Sequence, residues 1–107
     1  MKLRVAFFRT DAGAEPVRDW LLELGKSDRK AIGEDILAVQ FRWPLGMPLV
    51  RKMDAGLWEL RSHISDGRIA RILFTMRKDC MVLLHGFIKK TQRTPKADID
   101  LATRRKR

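Results

Sequence analysis

Two stretches carry residues that could do chemistry on a polyanion: LWELRSHI at 57–64 and HGFIKKTQRTP at 85–95. Read as neighbouring strands of a sheet, together with RIARILFTM at 68–76, they concentrate Glu59, Arg61, Arg71, Lys89, Lys90 and Arg93 in one region. A planar guanidinium suits phosphate oxygens, and two arginines facing each other across neighbouring strands repel unless an anion lies between them. Glu59 is the internal candidate for that anion, and a bound phosphate is the external one.

The histidines add less. His85 is read as packed on the helix-facing side of its strand, and His63, beside a hairpin loop, is left open between surface and RNA contact. Trp20, Trp43 and Trp58 lie on apolar stripes and read as core. Cys80 has no catalytic neighbours, and two separated histidines with one cysteine leave no metal-ligand spacing, so neither a metal nor a cofactor is expected.

Charge points the same way. Lysine and arginine number 23 against 13 aspartates and glutamates, for a net +10. Residues 1–50 hold 8 basic and 7 acidic side chains, whereas residues 51–107 hold 15 and 6. A basic half beside a near-neutral half suits a polyanion, with nucleic acid or ribosome ahead of an acidic protein segment. Arg68 and the tail Arg104, Arg105, Lys106 and Arg107 extend the candidate RNA-binding set, the tail as a flexible electrostatic contact. No apolar run approaches the ~20 residues of a membrane span. The opening MKLRVAFFRTD is a poor signal peptide, and a single cysteine suits a reducing compartment, so a cytoplasmic location is expected.

The elements that must position these residues follow from period and punctuation. Residues 3–8 read as a short interior strand. Pro16 opens a helix carrying Val17, Trp20, Leu21 and Leu24, with Gly25 as its end. Ser27 is a plausible N-cap for a second helix with Ile32, Ile36, Val39 and Trp43 on one face, stopped by Pro44. Strands are expected at 49–53, 57–64, 68–76 and 80–90, joined by short and therefore antiparallel connections. Thr94-Pro95 starts a short final helix. The order β-α-α-β-β-β-β-α gives a single α+β domain over 1–107, with its helices on one side of a twisted sheet.

Register then places the charges. A three-residue loop, Ser65-Asp66-Gly67, sets Ile64 opposite Arg68, Leu60 opposite Ile72, Trp58 opposite Phe74 and Arg61 opposite Arg71. A one-residue slip would mix buried and exposed sets. In the next hairpin Leu84 is expected opposite Arg71, with Gly86 and Lys90 on the same face. Met81, Leu83 and Phe87 would face the helices. Gly86 would leave room beside the two arginines, making a cationic concavity with Lys89, Lys90 and Arg93 at its rim.

LWELR (57–61), GRIARILF (67–74), LLHGFIKKTQRTP (83–95) and the A-x-x-R ending from Ala102 to Arg105 together resemble the RelE/HigB-like toxins of type II toxin–antitoxin systems. The phage-type HigB branch is the most similar. The resemblance spans essentially the whole chain. It implies a RelE-like fold: a small, mainly antiparallel sheet, two N-terminal helices on one face and a short C-terminal helix. It also implies a ribosome-dependent endoribonuclease that cuts translated mRNA without a metal. In that chemistry the 2′-hydroxyl attacks the adjacent phosphorus, a base takes its proton, cations stabilise the added charge, and an acid protonates the departing 5′-oxygen. Arg61 and Arg71 would then stabilise the charge, Lys90 would be the acid, and Glu59 is a weak candidate for the base. The implied partner is a cognate antitoxin, usually a helix-turn-helix protein, in a toxin–antitoxin complex that can be of higher order. Carried over by position, Arg61 is the basic residue ending its strand, Arg71 the phosphate-binding arginine of the next, and Lys89 with Lys90 the basic pair ending the last. The chain departs from the RelE pattern at Leu57 and Glu59, where lysines would be expected, and it has no tyrosine. Those departures keep two other readings in play, a ParE-like inhibitor of DNA gyrase and a catalytically inert antitoxin-binding regulator.

Overall fold

The computed structural model describes residues 2–89 and 93–107. Its elements run β1 (Arg4–Phe7), α1 (Pro16–Glu23), α2 (Lys26–Arg42), β2 (Val50–Asp54), β3 (Leu57–His63), β4 (Ile69–Arg77), β5 (Cys80–Lys89) and α3 (Lys96–Lys106). The five strands form one sheet in the order β1-β5-β4-β3-β2. The last four are antiparallel neighbours, as their short connections require, and β1 runs parallel to β5. The result is the small α+β, RelE-like fold. No helix among the described residues is long and apolar enough to cross a membrane.

Proline opens α1, its missing N–H costing nothing in the first turn. The break before α2 is shorter than expected: Leu24 ends α1 and Gly25 caps α2, which places Ser27 inside the helix. β1, expected in the interior, lies at the sheet edge. It remains half-buried because Val5 and Phe7 pack on the main core, while the Gln40 side chain donates to the Leu3 carbonyl at 2.8 Å.

The β3–β4 hairpin has the expected register, with Trp58 opposite Phe74, Leu60 opposite Ile72 and Arg61 opposite Arg71. Its loop is Ser65-Asp66-Gly67, in which Asp66 (φ 61°) and Gly67 (φ 68°) both take left-handed conformations. One face of the sheet then presents Leu60, Ile72, Phe74, Met81 and Leu83 to Ile32 and Val39 of α2 and Val17 of α1. Trp20, Trp43 and Trp58 close this core. Trp43 meets Trp58 edge-on at 5.2 Å, and Trp58 stacks on Phe74 at 6.1 Å.

The β4–β5 hairpin departs from expectation. Cys80 pairs with Arg77 across a two-residue turn and Leu83 pairs with Phe74, but the next pair is Leu73 with His85. Leu84 is therefore the extra residue of a β-bulge, and beyond it every side chain changes face. Phe87, not Leu84, stands opposite Arg71, and Gly86 stands opposite Ile72 on the α1/α2 side. The physical reason is Trp20. A Cβ at Gly86 would fall 2.5 Å from carbons of its ring, so glycine makes room for an indole and not for a ligand.

The third helix corrects the layering. Ala102 and Ile99 of α3 pack with Leu57, Leu73, Leu84, Phe8 and Phe87 on the face opposite α1 and α2. With both faces covered, β4 is buried from Ile69 to Thr75.

Candidate functional site

On the α3 side, cross-strand pairing sorts the charged residues into rows. Arg51 pairs with Glu59, Glu59 with Leu73 and Leu73 with His85. The next row is Arg61, Arg71 and Phe87, and the row at the sheet's end is His63, Ile69 and Lys89. Their side chains share one face because strand residues alternate.

These rows differ sharply in exposure. Glu59 and Arg71 are both 0% exposed, beneath the start of α3. Thr94, the residue before Pro95, links them: Arg71 Nη1 donates to Thr94 Oγ1 at 3.1 Å, and Thr94 Oγ1 donates in turn to Glu59 Oε2. Arg61 Nε stands 3.7 Å from Glu59 Oε1, with 12% of its side chain exposed. Burial pushes the Arg71 guanidinium below its ordinary value, the Glu59 carboxylate pulls it back up, and the nearby Arg61 and Arg51 lower it further. The anion compensating the two facing arginines is thus Glu59, held by a threonine. Among the described residues Arg71 faces no open concavity, because Phe87 and α3 cover it where Gly86 was expected to leave room.

The candidate RNA-binding residues divide in the same way. Lys89 and Arg93 are exposed. Lys90 lies outside the described residues. Arg68 is committed to Asp28, with Nη2 2.6 Å from Oδ2. The tail is the last turn of α3 and not a flexible contact. Arg105 donates to the Leu84 carbonyl at 2.8 Å and lies over the Phe8 ring, securing the bulge. Burial and neighbouring Arg104 both lower its pKa. Lys106 Nζ donates to the Ala55 carbonyl at 2.8 Å, and Arg77 donates to the Lys106 carbonyl. Arg104 and Arg107 are the exposed residues of this set.

The bulge also moves His85 onto the α3 face, where Nε2 lies 2.7 Å from Asp98 Oδ1 and the ring stacks on Phe87. It is packed and hydrogen-bonded as expected, but on the opposite side of the sheet. Cys80 is a free, partly buried cysteine. Among the described residues no group of three histidine, cysteine, aspartate or glutamate side chains could hold a metal ion.

A cleft of about 300 Å³ opens at the edge of β3, lined by Asp35, Pro48, Leu49, Arg61 and His63. It forms because β2 begins only at Val50. The Leu49 carbonyl accepts from the Arg61 N–H, and among the described residues no strand pairs with that edge of β3 beyond it. Asp35 of α2 accepts from the Ser62 hydroxyl at 2.5 Å and holds one wall in place. Sequence reasoning missed this cleft and left His63 unassigned. The i, i+2 spacing of Arg61 and His63 was the available signal, whereas Asp35 and Leu49 arrive from distant elements that no local pattern connects.

The chain matches the family described as Phage derived protein Gp49-like (DUF891) over residues 19–107. It belongs to the Gp49-like family. This family is associated with toxin–antitoxin systems and is RelE-like, which agrees with the fold. A toxin–antitoxin-related function and an antitoxin partner are consistent with Gp49-like membership. No curated protein matches the chain. The Gp49-like match includes the whole of β3, β4, β5 and α3, and so both the buried Glu59–Thr94–Arg71 staple and Arg61 at the cleft.

Proposed function

We propose that this Gp49-like protein is the toxin of a type II toxin–antitoxin system of the HigB-like branch. It acts as a ribosome-dependent endoribonuclease, cutting translated mRNA by metal-free attack of a 2′-hydroxyl. The observation carrying this reading is the end of the sheet on the α3 side. There a partly exposed arginine on a cleft, Arg61, adjoins a row with His63 and Lys89 exposed at either end. Arg61 stabilises the charge developing on phosphorus, for which one well-placed donor is typically worth roughly 10²–10³ in rate. Arg71 and Glu59, shut beneath α3, position Arg61 and do not touch the phosphate themselves. Lys90 serves as the acid for the departing oxygen. Lys89, Arg93, Arg104 and Arg107 supply the sequence-independent contacts to RNA, and each phosphate neutralised on a single strand steepens the salt dependence of log K by about 0.7. The cognate antitoxin, a helix-turn-helix protein, keeps the toxin silent between uses.

A second reading draws on one observation. Two of the four candidate catalytic residues, Glu59 and Arg71, are inaccessible, as suits a protein that acts by binding alone, such as a gyrase inhibitor or an inert antitoxin-binding regulator. An inducible culture separates the readings. Rapid loss of protein synthesis, with mRNA 5′ ends mapped to in-frame codons, is the expected outcome. DNA damage with intact mRNA selects gyrase inhibition, and unimpaired growth selects the inert regulator.

A further inference from the structure

A guanidinium is no proton acceptor at neutral pH, so an arginine on the cleft leaves RNA cleavage without a base. Glu59 does not supply one, since it is buried and bound to Thr94. His63 differs on each count. It is exposed, it lies two residues beyond Arg61 on the same face of β3, and both side chains line the same cleft. Histidine's ordinary titration range brackets neutrality. His85, the other histidine, is engaged by Asp98 and stacked on Phe87.

The surroundings suit a ribonucleotide. Pro48 and Leu49 give the cleft an apolar wall suited to a base or sugar, and Arg61 gives it a cation suited to a phosphate. The charged groups facing His63 are Arg61 from its own strand, Asp35 from α2, and Lys89 at the far end of its cross-strand row. Beyond it, Arg68 after the hairpin loop pairs with Asp28 of α2. Lys89 lies across Ile69 from His63, two strand spacings or about 9–10 Å away at the backbone.

Resting on the endoribonuclease reading, we propose that His63 is the general base of RNA cleavage and that this cleft holds the ribonucleotide being cut. The imidazole takes the proton of the 2′-hydroxyl as the O2′–P bond forms. The P–O5′ bond breaks, and the departing 5′-oxygen takes a proton from a lysine ammonium of the Lys89–Lys90 pair. The products are a 2′,3′-cyclic phosphate and a 5′-hydroxyl end.

Purified ribosomes programmed with a defined mRNA, assayed for cut ends under single-turnover conditions, test this. His63→Ala is expected to slow cleavage roughly 10²–10⁴-fold, with thermal stability unchanged because the side chain is exposed. Added imidazole is expected to restore part of the rate, and the variant's pH–rate profile is expected to lose the limb belonging to the base. Cleavage by His63→Ala at the wild-type rate overturns the assignment and leaves the endoribonuclease reading standing. A loss that imidazole does not rescue, with the pH profile unchanged in shape, overturns the base role in favour of RNA contact. Wild-type protein that leaves the mRNA uncut overturns both readings.

Discussion

The two faces of the sheet are held by different physics. Against α1 and α2 the contacts are mainly apolar, with polar ties toward the β3–β4 hairpin end: Leu60, Ile72, Phe74, Met81 and Leu83 meet Val17, Ile32 and Val39, closed by three tryptophans. Against α3 the apolar cluster is smaller, and the junction is fastened by polar groups instead. These are the Glu59–Thr94–Arg71 chain, the His85–Asp98 pair and the Arg105 contact with the Leu84 carbonyl. Apolar packing is non-directional and tolerates small shifts, whereas a buried charge requires its partners in place. The face bearing the candidate chemistry is therefore the face whose geometry is fixed by hydrogen bonds.

Breaking the polar face is expected to have the largest effect. Arg71→Ala leaves Glu59 buried without one of its two neighbouring cations and breaks the link through Thr94, and removing one member of a buried charged pair typically costs about 3–5 kcal/mol. Replacing both, as Arg71→Met with Glu59→Leu, is expected to recover most of that stability. Urea denaturation of the three proteins measures the difference. If Arg71→Ala unfolds at the wild-type midpoint, the buried pair is not what fastens α3. Loss of toxicity in Arg71→Ala alone would not identify a catalytic arginine. The double variant separates the roles, because it keeps the fold while leaving Arg61 without its carboxylate neighbour.

The apolar face is expected to be most sensitive at the position that looks most permissive. Gly86→Ala places a methyl against the Trp20 ring, within 2.5 Å of its nearest carbons. Overpacking of this kind typically costs about 1–3 kcal/mol. Trp20→Leu in the same chain should return part of the loss, since a smaller side chain vacates the space. Thermal melts of the single and double variants decide it, and additive losses would show that the two residues do not meet.

What could be read from the sequence follows the same division. The β3–β4 hairpin was legible because alternation in both strands and a glycine in the loop admit one register, and a slip would have exposed Leu60 and Ile72. β5 was not legible beyond Leu83. Its run of apolar residues fits either face, and the bulge at Leu84 is stabilised by Arg105, some twenty residues further along the chain. Gly86 was read as leaving room beside the two arginines, but it stands on the other face and its space is filled by Trp20. Thr94 read as helix punctuation, because nothing local indicates that its hydroxyl bridges Arg71 and Glu59. Arg61 was recognised as a candidate from its strand position. The cleft beside it was not, since α2 and the segment before β2 build the opposite wall.

The smallest expected effect concerns the pin between the two regions. Asp28, near the start of α2, accepts from the Ser65 hydroxyl at 2.9 Å, from the Ser65 N–H at 3.2 Å and from Arg68 at 2.6 Å. These contacts, the Ser65 hydroxyl foremost, hold its carboxyl below the ordinary aspartate value, against a smaller upward push from burial. A carboxyl depressed in the folded state binds protons more readily when unfolded. Its stabilisation is therefore complete above the ordinary aspartate value, near pH 4, and is lost as pH falls through the lower folded value. Asp28→Asn is expected to lower stability modestly at pH 7 and to lose less than the wild type on acidification below about pH 4. Urea midpoints for both proteins across that range measure the difference, and parallel curves would place the acid sensitivity elsewhere. The pin ties α2 to the hairpin bearing Arg61 and His63. If His63 acts as the base, Asp28→Asn should therefore reduce cleavage by more than its small loss of stability accounts for.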